Sequence, residues 1–184
     1  MTYRIRIPFL LLGILLATAV RAELPASLAQ AVSRVAGAPA QRQALGVNLE
    51  EALKAGVGEQ DLQAVMRLAA TPPYSAAGAD AFVRQLAEVS RDGLPIAPIR
   101  DKMLEGMAKK IPAEMILGVT SQWRSALSEA AVDVRAMEER GLRYGKASER
   151  EALVSLGAGL RQRYGAKDVL VKLEASAAKG GKAA

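Results

Sequence analysis

The sequence predicts an all-α protein, a helical bundle or short α-solenoid of about three three-helix units. Three observations carry this. The strong helix formers Ala, Leu, Glu, Gln, Lys and Arg dominate, while aromatic residues make up 4% of the chain. Apolar residues recur at four-residue spacing, which lines one face of a helix. Some of these stripes return 54 residues later, the mark of stacked helical units that bury a common core.

Residues 1–22 read as a secretory signal. Arg4 and Arg6 form the basic start, no acid precedes Glu23, and an apolar run from Pro8 to Val20 is too short to span a bilayer comfortably. Val20-Arg21-Ala22 fits a cleavage site, with Ala17-Thr18-Ala19 as the alternative. The expected location is the bacterial periplasm, or release outside the cell. Residues 23–174 are expected to form a single helical-repeat domain, followed by a flexible tail over 175–184. The chain has no cysteine, so its core rests on packing without disulfides.

The first helix of each unit is marked by Leu28, Val32 and Val35, which return as Phe82, Leu86 and Val89. Ala130, Val134 and Met137 form a third copy at a shorter offset, and an insertion over residues 144–148 restores the register. Gly37, Gly93 and Gly141 close these helices, where left-handed backbone is usual. Second helices carry Leu45, Leu49, Leu53 and Val57, then Ile99, Met103, Met107 and Ile111, then Ala152, Leu156, Leu160 and Tyr164. Turns follow at residues 56–58, at Ile111 and Pro112, and at Gly165. Third helices open near Gln60, Glu114 and Lys167. Pro112 suits a helix start because its missing N–H needs no partner there, and Glu114 suits the positive end of the helix dipole. Thr71-Pro72-Pro73-Tyr74 is expected to be an extended connector between the first two units.

Composition narrows the function. The formal charge is +6; without Arg4, Arg6 and Arg21 the 25 basic residues become 22 against 19 acidic, or +3. Acids and bases interleave as on solvated helix faces, and no concentrated basic stripe for nucleic acid appears. Peripheral contact with anionic envelope surfaces is open to Lys109, Lys110, Arg161, Arg163 and the tail. The chain has neither His nor Cys, which removes Ser–His and Cys–His nucleophile systems and nearly all zinc sites. No cofactor or metal is called for. Ser176 and Lys179 match S-x-x-K but fall in the tail. Gly157-Ala158-Gly159 lacks the third glycine of a phosphate loop and fits a close helix approach better. The neighbouring acids Glu50 and Glu51, like Glu138 and Glu139, diverge around their helices. Glu105 or Glu114 would need tertiary structure to form a catalytic pair.

The stretch Glu105-Gly106-Met107-Ala108-Lys109-Lys110-Ile111-Pro112 resembles an E-G-x-A-K-x-x-P unit of uncharacterised exported helical proteins of bacteria, a resemblance that brings no known activity. Gly106 within a helix points to a close crossing. Met103, Met107 and Met115 read as gap-filling core residues. Trp123 reads as core, or as an anchor for a partner if exposed. Tyr74, Lys109, Lys110, Trp123 and Tyr144 make up the candidate partner surface. The expected function is a non-enzymatic, exported protein that binds a protein or peptide in the cell envelope. A chaperone-like envelope adaptor and a small cell-wall hydrolase using Glu and Asp are the alternatives.

Overall fold

A computed structural model describes residues 24–141 and 146–161. The expected signal, Tyr144, the turn at Gly165 and the tail lie outside the described residues. The fold is an all-α bundle, with no strand among the described residues. Its helices are α1 (Ala26–Arg34), α2 (Pro39–Lys54), α3 (Glu59–Ala69), α4 (Ala76–Arg91), α5 (Ala97–Ala108), α6 (Ala113–Glu139) and α7 (Lys146–Arg161). None of the described helices is long and apolar enough to cross a membrane.

The helix ends follow from local chemistry. Gly56 and Gly93 hold φ of 92° and 70°, conformations that glycine adopts without steric cost. Each ends its helix in the same pair of bonds. Gly56 N–H donates to Leu53 O and Val57 N–H to Ala52 O; Gly93 N–H donates to Ser90 O and Leu94 N–H to Val89 O. Lys110 ends α5 in the same way at φ 55°, with Ile111 N–H donating to Gly106 O. Gly141 is also left-handed, at φ 94°. Gly37 departs from expectation. It is not among the positive-φ residues; a Cβ there would stand 2.7 Å from Ala76 Cβ, so glycine serves close approach between chain segments. The Thr71-Pro72-Pro73-Tyr74 connector also differs from expectation. It is a turn containing a cis Pro72-Pro73 peptide, and Tyr74 N–H donates to Thr71 O.

Helices stack on their next-but-one neighbours. α2, α4 and α6 start 37 residues apart and lie side by side. Asn48 donates to Asp80 and Ser90 Oγ to Ala55 O between α2 and α4. Between α4 and α6, Arg124 pairs with Glu88 and Asp92, and the buried Thr120 Oγ1 donates to Gln85 Oε1 at 2.7 Å. A second row runs α1, α3, α5, tied by Ser27 to Glu59 and by Arg100 to Asp61. The 54-residue spacing matches each helix with the third one after it, whereas packing repeats at every second helix. Both intervals are multiples of one step, a helix plus its turn. At the 37-residue interval Leu45, Leu49, Val57, Leu62 and Met66 correspond to Phe82, Leu86, Leu94, Ile99 and Met103, and all ten are buried.

The series slips at its end. α6 has 27 residues where α2 and α4 have 16. α7 therefore starts 49 residues after α5, against 38 between α3 and α5. It packs on the far half of α6 around a small second core of Ala130, Val134, Met137, Ala152, Leu153 and Leu156.

Packing at the α5–α6 corner is tight. A Cβ on Gly106 would stand 2.7 Å from Cγ1 of the buried Ile116. Overpacking of this kind costs about 1–3 kcal/mol, more than the roughly 1 kcal/mol that alanine gains in helix propensity. Gly106→Ala is expected to destabilise the fold by up to about 2 kcal/mol. Gly46→Ala and Gly118→Ala, each with nothing within 4 Å, are expected to stabilise it by about 0.5–1 kcal/mol. Urea unfolding with unchanged m values separates the two signs.

Candidate functional site

The slip leaves a groove on the near half of the α5–α6 pair. Its volume is about 240 Å³, and it is lined by Lys102, Glu105, Gly106 and Lys109 of α5, by Ile111, and by Met115, Ile116 and Val119 of α6. Gly106 lets the two helices close at the base. Pro112 and the left-handed Lys110 turn the chain so that α6 runs back along α5. Met115 and Val119, four residues apart on one helix face, are 63% and 38% exposed. The expectation that Met115 is core fails here. The described part of α7 packs further along α6, around Leu127, Ala130, Val134 and Met137. Met103 and Met107 are buried, as expected.

The rim is ionic. Glu105 accepts from Lys102 and Lys109, both at 2.6 Å. Hydrogen bonds from Lys102 and Lys109 hold its carboxyl down to about 2, against an ordinary 4.5. A glycosidase acid needs the opposite shift, a carboxyl held protonated near neutrality. Glu105 is thus poorly suited to the acid role that a hydrolase reading would give it.

The other sequence candidates separate. Lys109 and Lys110 are exposed at this corner. Tyr74 is 5% exposed and belongs to the core, stacked edge-on against Phe82 at 6.0 Å. Its hydroxyl donates to Ile111 O at 2.7 Å, closing the end of α5. Burial pushes the phenol above its ordinary range. Trp123 is buried on α6 and offers no exposed anchor. Tyr144 lies outside the described residues. Sequence reasoning missed Val119, whose exposure depends on where α7 lands.

Two larger clefts are more polar. One of about 470 Å³ lies between α1 and α3, with Gln30, Arg34, Gln63 and Arg67 among its lining. Another of about 600 Å³ separates the start of α5 from α7, beside Asp61, Arg100, Glu149 and Arg150. Arg100 is already engaged by Asp61 and Asp101. No group of three or more His, Cys, Asp or Glu that could hold a metal ion is found among the described residues.

Two outcomes follow. Tyr74→Phe removes the hydroxyl that closes α5 and is expected to cost about 1–2 kcal/mol in urea unfolding, with the helical circular dichroism unchanged. In NMR titration the Glu105 carboxyl is expected to titrate near 2. Its folded value is depressed, so its ion pairs contribute above the ordinary carboxylate range and are lost as pH falls toward 2. Lys102→Ala with Lys109→Ala returns the titration toward 4.5.

No known family, characterised protein or solved structure matches this chain, so its function must be argued from its own residues.

Proposed function

We propose that this chain is an exported, non-enzymatic helical protein that binds a protein or peptide partner in the bacterial envelope. The observation that carries the reading is the α5–α6 groove. An exposed apolar pair, Met115 and Val119, stands over the buried Ile116 and is edged by Lys102, Glu105 and Lys109. Apolar centres edged by charge are how soluble proteins present binding surfaces. The flexible Met115 side chain and the smaller, stiffer Val119 can bury against a partner without requiring the protein to unfold. The export part of the reading rests on residues 1–22, and the stacked helices supply a rigid platform.

Cell fractionation is expected to place the mature chain in the periplasm. Amine-reactive cross-linking in intact cells is expected to give a discrete adduct with an envelope protein. Met115→Glu with Val119→Glu should reduce that adduct severalfold, while the purified variant keeps its helix content. Retention of the chain in the cytoplasm overturns the reading. So does saccharide cleavage by the pure protein that Glu105→Gln abolishes.

A further inference from the structure

Cations in the last turns of α1 to α4 fall into two pairs. Lys54 of α2 and Arg91 of α4 both meet Glu51. Arg34 of α1 and Arg67 of α3 are exposed and make no ion pair among the described residues. Both line the cleft of about 470 Å³ between their helices. The helix dipole favours a last-turn cation in all four cases; what the α1–α3 pair lacks is a carboxylate. One interface further along the same row, Arg100 takes the place of Gln63, and Asp61 and Asp101 engage it. No acid lines the α1–α3 cleft. Glu59 borders its far end, about 12 Å along α3 from Arg67, where it accepts from Ser27 and Gln63.

The rest of the lining suits a short length of peptide. The buried Met66, with Ala31 and Ala64, gives an apolar base. Gln30 and Gln60 carry carboxamides that can both donate to and accept from a peptide backbone. From Gln60 to Ala70 the α3 wall runs about 15 Å, the length of about five extended residues. That is long for a single small anion. The chain's own remaining stretches are poor occupants by charge. Arg4, Arg6 and Arg21 outnumber Glu23 before α1, and Arg163, Lys167, Lys172, Lys179 and Lys182 outnumber Asp168 and Glu174 after α7. Like charge disfavours them over two arginines.

We infer that the α1–α3 cleft binds an acidic peptide segment of a partner, with carboxylates against Arg34 and Arg67 and an apolar side chain over Met66. The planar fork of each guanidinium matches a carboxylate with paired hydrogen bonds. This site is separate from the α5–α6 groove and does not depend on it.

A dye-labelled peptide of about eight residues, alternating glutamate and alanine, is titrated with the full-length protein and read by fluorescence anisotropy. Binding is expected, and the same peptide with glutamine for glutamate should bind at least about tenfold more weakly. Arg34→Gln with Arg67→Gln should weaken the glutamate peptide at least about tenfold. Arg135→Gln with Arg140→Gln removes the same charge from exposed positions near the end of α6 and should leave the affinity unchanged. Gln30→Cys gives the chain a single thiol for an environment-sensitive dye, which the peptide should perturb with both arginines intact. No binding, equal affinity for both peptides, equal loss in the two double variants, or an unperturbed dye at residue 30 overturns the inference. Displacement of the peptide by inorganic phosphate or by phosphatidylglycerol vesicles at matched charge also overturns it, in favour of a simple anion or a membrane surface. The envelope adduct that depends on Met115 and Val119 reports on a different surface, so the two readings fail independently.

Discussion

From α1 to α6 the structure depends on helices burying their apolar stripes against the helix two places further on. With no disulfide to hold the chain, that stacking supplies the core. It also fixes the turns. A helix that must lie beside its second neighbour has to end sharply, and the left-handed residues Gly56, Gly93 and Lys110 end α2, α4 and α5 with the same pair of backbone bonds. The polar contacts obey the same geometry. Asn48 with Asp80, Gln85 with Thr120, and Tyr74 with Ile111 join residues 32, 35 and 37 apart, on successive repeats. These contacts set the register; the apolar stripes between them supply most of the stability.

Much of the fold was legible because helices announce themselves by spacing. The stripes through Leu45 and Leu49 and through Ile99 and Met103 are buried where a four-residue period places them. The turns after Ala55 and Asp92 carry the glycines that such ends require. The packing interval was harder to read. Any chain of similar helices and turns matches itself at two helices and at three, and sequence alone does not say which neighbour a stripe faces. Gly37 illustrates the same limit: a glycine needed for close approach to Ala76 looks in sequence like one needed for handedness.

The site was legible in part. Lys109 and Gly106 stood out as a basic turn beside a close crossing, and both sit at the groove. Tyr74 and Trp123 did not belong with them, because aromatic residues beside breaks or on amphipathic helices are exposed or buried according to partners remote in sequence. Met115 reads as core by spacing and is exposed by circumstance. It stands beside Val119 at the edge of the buried stripe of α6, and the described part of α7 packs further along that helix.

The small second core between α6 and α7 has a kinetic meaning. Among the described residues six buried side chains, two of them alanine, form the second core, and Gly157 and Ala158 of α7 meet the edge of the main core. Cooperative units with few buried contacts open at lower free energy than the whole. The far end of α6 with α7 is thus expected to open at lower free energy than the main core. Because α6 is continuous through both cores, each reclosure is guided by a helix already in place. Opening there leaves the near half of α6 anchored in the main core.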